Sequence, residues 1–102
     1  MAEDILNKID QDVKSHRILV YMKGTPEEPM CGFSAQTVEI LKKLGVSFEA
    51  RNVLADEDLR QAIKTYSNWP TIPQVYINGK FIGGCDILTE LYEVGELQKL
   101  VG

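Results

Sequence analysis

A single cysteine, Cys31, stands in the stretch EEPMCGFSAQTVEILKK, residues 27 to 43. A chain that opens a disulfide and then resolves the mixed intermediate needs a second thiol, and in the C-x-x-C pattern that thiol lies three positions on. Position 34 holds Ser34 instead, whose hydroxyl stays protonated at neutral pH. Any resolving thiol must therefore come from outside this pair.

The surroundings of Cys31 point to a reactive sulfur. It follows a loop and Pro29 and opens a stretch of helical period. The first turn of a helix presents N–H groups with no partner inside the helix, and the helix dipole adds partial positive charge there. Both favour thiolate over thiol. Lys23, across the loop, can add a positive charge, and Gly32 leaves space beside the sulfur. The alternative is a buried cysteine acting as a small hydrophobe. The preceding loop and proline argue for exposure instead.

The elements that must position this residue can be read from periodicity. Ile5, Ile9 and Val13 place one apolar face on a helix over residues 3 to 15. RILVYM, residues 17 to 22, reads as a buried strand. KGTPEEPM is a loop broken by Gly24 and two prolines. Val38, Leu41 and Leu44 share a face on a helix from Phe33 to Leu44, closed by Gly45. VSFEARNV alternates as a half-exposed strand does. Leu59, Ile63 and Tyr66 define a helix over residues 56 to 67, stopped by NWPTIP. In QVYINGKFIGG two short strands flank Asn78-Gly79, a type I′ hairpin signal. Asp86 is expected to cap a last helix running to about Val94, with a short turn near residues 96 to 101. This order requires a parallel crossover followed by an antiparallel hairpin. A mixed four-stranded sheet with helices on both faces meets it, which is the thioredoxin-like α/β arrangement in one domain over residues 1–102.

Composition narrows the function. The chain has 102 residues and a formal net charge of −4, with a pI of about 4.9. Nucleic-acid binding needs clustered Lys and Arg and is not expected. No apolar run reaches membrane-span length. MAEDILNKID is neither a signal nor an Arg-rich transit peptide. Two cysteines are too few for a disulfide scaffold or a structural zinc site. The lone histidine, His16, reads as a solvated helix-end residue. The expected location is the cytoplasm or another reducing compartment such as the mitochondrial matrix.

The segments YMKGTPEEPMCGFS and NWPTIPQVYINGKFIGGCDI, with the helix between them, resemble the monothiol glutaredoxins of the CGFS type. The resemblance covers nearly the whole chain and rests on Lys23, Cys31 to Ser34, Trp69-Pro70-Thr71, Ile72-Pro73, Gly83-Gly84 and Cys85-Asp86 in their usual order. Ile72 stands where some relatives carry Phe. The resemblance implies a glutathione site. Lys23 and Arg60 would face the glycine carboxylate, and the backbone of Ile72, before a cis Pro73, would pair with the ligand backbone. The N–H groups of Cys85 and Asp86 would receive the γ-glutamyl carboxylate, with the Asp86 side chain facing the ammonium. Cys85 itself reads as a buried small residue.

A [2Fe–2S] cluster usually takes four thiolates. The resemblance implies that Cys31 and a glutathione thiol from each of two chains supply them, in a cluster-bridged homodimer serving storage and transfer to iron-sulfur apoproteins, with a BolA-like protein as a further partner. The competing reading is a glutathione-dependent monothiol disulfide oxidoreductase, or deglutathionylase. No nucleic-acid or membrane partner is expected.

Overall fold

The computed structural model describes residues 2–102. In chain order the elements are α1 (Ala2–Ser15), β1 (Ile18–Met22), α2 (Gly32–Leu44), β2 (Glu49–Asn52), a short 3-10 turn (Val53–Ala55), α3 (Glu57–Ser67), β3 (Gln74–Ile77), β4 (Lys80–Gly83), α4 (Cys85–Glu93) and α5 (Glu96–Val101). The strands form one sheet in the order β2-β1-β3-β4. β1 pairs parallel with β2 and antiparallel with β3, and β3 pairs antiparallel with β4. The expected mixed, thioredoxin-like sheet is present.

β1 lies at the centre and is buried along its whole length. Successive side chains of a strand point to opposite faces, and β1 divides accordingly. Ile18, Val20 and Met22 join Val38, Leu41, Leu88 and Leu97 on the face covered by α2, α4 and α5. Leu19 and Tyr21 join Ile9, Val13, Ile63 and Tyr76 on the face covered by α1 and α3. The apolar run read from the sequence is thus a strand that serves two cores at once.

Several boundaries differ from the sequence reading. β2 is confined to Glu49–Asn52 because Val53, fully buried, turns inward into the 3-10 segment. Residues 96–101 form a helix in place of a simple turn. The cap of α4 is Gly84, so Asp86 occupies the first turn and is not the N-cap. His16 is only partly solvated: its ring Nε2 lies 3.2 Å from Asp12 and 3.3 Å from Arg51, the latter 35 residues away in sequence.

One buried polar residue ties the sheet to the loop that follows α3. Gln74, the first residue of β3, is fully buried. Its Nε2 donates to the carbonyls of Trp69 and Thr71 at 3.2 and 3.3 Å, while its Oε1 accepts from the Tyr76 hydroxyl at 2.9 Å. Gln74→Leu would leave the buried Tyr76 hydroxyl unpaired and free the carbonyls of Trp69 and Thr71 from the strand. It is expected to lower unfolding free energy by about 2 kcal/mol, read from the urea midpoint. An unchanged midpoint would show that the network contributes nothing.

Candidate functional site

The residues singled out in the sequence come together. Lys23, Cys31, Arg60, Ile72, Cys85 and Asp86 all line one cleft of about 600 Å³, with Phe33, Lys64, Trp69 and Gly84 among the other lining residues. Lys23 follows the end of β1, Cys31 opens α2, Arg60 lies on α3, Ile72 precedes β3, and Cys85 and Asp86 begin α4. Two helix N-termini therefore face the same space.

Cys31 is the N-cap of α2, with extended backbone at φ −159°. Its sulfur closes no cap hydrogen bond, but the first-turn N–H groups are turned toward it. The backbone N–H of Ser34 is the main influence holding its pKa below the ordinary thiol value. The N–H of Phe33, the charge of Lys23 and the Ser34 hydroxyl act in the same direction, against a partial burial that raises it. The sulfur is half-buried, and Met30 and Phe33 beside it are well exposed, at 66% and 59%.

Ser34 is a participant that the sequence reading treated only as a missing cysteine. It is completely buried, and its Oγ accepts the Lys23 N–H at 3.1 Å. The residue in the resolving position is thus part of the scaffold that fixes Lys23 and polarises Cys31. A serine at a helix start, three residues past the N-cap, is the only sequence signal that could have revealed this. Lys64 was also missed. It lies one turn after Arg60 on α3, and so brings a third cation to the same wall.

The opposite wall is built for close approach. The Ile72–Pro73 peptide bond is cis, as expected. At Gly84 a Cβ would sit 3.2 Å from the Pro73 carbonyl and 3.7 Å from Trp69 Nε1, so a side chain there would crowd this end of the cleft. Two buried donors in the lining have no partner: Arg60 Nε and Trp69 Nε1. Among the described residues, the Arg60 side chain otherwise reaches Glu57, at 3.3 Å through Nη1. Buried donors are normally satisfied, so these two suit a ligand that brings acceptors. Cys85 is buried, as read from the sequence, and its sulfur lies 3.9 Å from the Thr89 hydroxyl. Asp86 is exposed in the first turn of α4 and is the one acid in the lining. The cleft thus carries cations at one side, an acid at the other and a thiol at its mouth.

Residues 18–82 match the family model described as Glutaredoxin. The chain is 57% identical over 94 residues to the uncharacterized monothiol glutaredoxin ycf64-like protein of Synechocystis, covering 92% of this chain and 88% of that one. The chain belongs to the monothiol glutaredoxins. Among solved structures, the reduced apo GrxS14 of poplar superposes on this glutaredoxin with a TM-score of 0.82 at 53% identity, over 93% of this chain and 87% of that one. A buckwheat glutaredoxin–glutathione complex superposes with a TM-score of 0.87 at 26% identity, over 98% and 89%. The glutaredoxin fold and a Cys31 with serine in place of a cysteine at position 34 therefore stand together. Among the described residues, no three Cys, His, Asp or Glu side chains gather to form a metal site within one chain, and no helix is long and apolar enough to cross a membrane.

The depressed Cys31 pKa gives a pH test. Ultraviolet thiolate absorbance is expected to show Cys31 titrating below the free-thiol value of about 8.5. Ser34→Ala should raise it, because the hydroxyl contact is lost and Lys23 loses its anchor. The folded value lies below the unfolded one, so ionisation adds stability above the ordinary thiol range. That contribution is lost as pH falls through the folded value. Cys31→Ser should abolish this dependence. A Cys31 that titrates like a free thiol would contradict the role given to the α2 N-terminus.

Proposed function

We propose that this glutaredoxin binds glutathione in the cleft and holds a [2Fe–2S] cluster as cargo between two facing chains, for storage and transfer to apoproteins. The observation that supports it best is the lone, half-exposed Cys31 with a depressed pKa, at the mouth of a cleft whose buried donors lack partners. The cations Lys23 and Arg60 suit the glycine carboxylate. The backbone of Ile72 suits the ligand's peptide groups, and the N-terminus of α4 at Cys85 and Asp86 suits the γ-glutamyl carboxylate, with the Asp86 side chain toward the ammonium. The similar buckwheat protein was solved with glutathione.

A chain with two cysteines cannot supply four thiolates by itself. Cys31 and one glutathione thiol per chain, doubled by a two-fold axis, can. Apoproteins and a BolA-like partner would meet the same face, where Met30 and Phe33 stand exposed. A reducing compartment, the cytoplasm or a mitochondrial matrix, suits a chain whose cysteines are both free.

Anaerobic reconstitution with iron, sulfide and glutathione tests this by visible absorbance and by mass. A cluster-bearing dimer is expected only with glutathione. It should vanish in Cys31→Ser and largely survive in Cys85→Ser. Full cluster formation without added thiol, or complete loss in Cys85→Ser, would replace the proposed ligands with an all-protein set.

The depressed pKa also suits a monothiol oxidoreductase, in which the Cys31 thiolate takes glutathione from a mixed disulfide and a second glutathione releases it as glutathione disulfide. Turnover of small mixed disulfides separates the two. The carrier is expected to stay well below about 10 per second. Because Ser34 is buried and structural, Ser34→Cys should not raise the rate; a marked rise would favour the oxidoreductase.

A further inference from the structure

We infer that Asn52 is a positioning residue for the cationic end of the cleft, setting Lys23 and Arg60 in the relation that selects a free carboxylate. The inference rests on the glutathione reading of the cleft. Asn52 does not line the cleft and acts only through other residues.

Asn52 is the last residue of β2, paired in parallel register with Met22, the last residue of β1. The next backbone rung is missing because Val53 turns into the core. The Asn52 side chain stands in for it. Its Oδ1 accepts the N–H of Gly24, 28 residues away, at 3.0 Å, and also the N–H of Leu54 at 2.9 Å. One oxygen thereby joins two paths.

The first path leads to Lys23. Gly24 follows it directly. Its φ of +89° and the 2.4 Å that a Cβ would leave to the Glu28 carbonyl allow only glycine at this point. Lys23 itself donates its N–H to Ser34 Oγ at 3.1 Å and accepts from the Met30 N–H at 2.9 Å. Its backbone is therefore held from both sides, and Asn52 supplies the hold on the Gly24 side. The second path leads to Arg60. Leu54 lies in the 3-10 turn capped by Asn52, which runs into Asp56. Asp56 caps α3 by accepting the Leu59 N–H at 3.1 Å, and its carbonyl accepts the Arg60 N–H at 3.0 Å. The two cations come from elements distant in sequence, and the Asn52 oxygen is bonded to both of the segments that lead to them. A carboxylate bound between a lysine and a planar guanidinium is sensitive to their separation.

The test compares glutathione with its glycine monoethyl ester, which keeps the thiol and the γ-glutamyl end but loses the carboxylate charge. Binding is measured by titration calorimetry. Wild type is expected to prefer glutathione by about tenfold, the scale of one charged hydrogen bond. Asn52→Ala should remove most of that preference by weakening glutathione while leaving ester affinity within about twofold. Lys23→Ala should do the same, and the double variant no more than either, as coupled residues behave. Asn52→Asp, with an accepting oxygen in the same place, should keep most of the preference. If Asn52→Ala fails to fold, Asn52→Gln displaces the oxygen by one methylene and is expected to lose the preference likewise. Equal weakening of both ligands by Asn52→Ala, or a preference that Asn52→Ala leaves unchanged while wild type binds glutathione, would overturn the role of Asn52 alone. Absence of glutathione binding to wild type would overturn the cleft reading itself, and this inference with it.

Discussion

The first N–H groups of a helix have no carbonyl to bind, and at α2 that shortage organises the cleft. Those N–H groups lie toward the Cys31 sulfur without a closed hydrogen bond, and together with the Lys23 charge they hold its pKa down. The constraint then spreads. For the N–H groups to face the cleft, α2 must begin immediately beyond β1, across a loop that returns the chain to the end of the sheet. Ser34 anchors that return by binding the Lys23 N–H from inside the core. α4 meets the same condition from the other side, beginning at a glycine cap with no side-chain bond to its own first turn. Sheet topology brings both helix starts to one space because both helices pack on the same face, with α5 beside them.

Arg60 Nε and Trp69 Nε1, both in the cleft lining, are buried without a protein partner. Tyr21 is a useful contrast. Its hydroxyl is also unpartnered, but it belongs to the α1–α3 face, where its ring stands edge-on to Tyr76 at 5.8 Å. Burial there pushes its pKa up.

The parts of the fold that periodicity controls were legible in the sequence. The apolar run of β1, the apolar faces of α1, α2 and α3, and the Asn78-Gly79 turn depend on neighbours a few residues away, and they appear as expected. Features that depend on distant partners were not. The pairing of His16 with Asp12 involves Arg51 across the sheet edge. The inward turn at Val53 depends on the core awaiting it. Asp86 follows a glycine that already occupies the cap, which residue preference alone does not reveal. The candidate site was legible in another way. Taken singly, Lys23 and Arg60 look like surface charges, and only the family pattern joined them to Cys31, Ile72, Cys85 and Asp86. Ser34 stayed hidden because a burial of zero cannot be read from one residue's type.

The loop between Lys23 and Cys31 is bonded mainly to itself. Thr25 and Glu28 exchange both backbone bonds, at 3.2 and 3.1 Å, Gly24 bridges Pro29, and the Met30 N–H returns to the Lys23 carbonyl at 2.9 Å. Its ends are gripped from below by Ser34 and Asn52, whereas Thr25, Glu27 and Glu28 lie on the surface. The tip is therefore a module. Thr25 adds a side-chain bond to this loop, its Oγ1 accepting the Glu28 N–H at 3.1 Å. The Glu27 and Glu28 carboxylates, by contrast, stand outside the bonding that fixes the ammonium at one foot and the sulfur at the other, and give the tip a negative charge of its own.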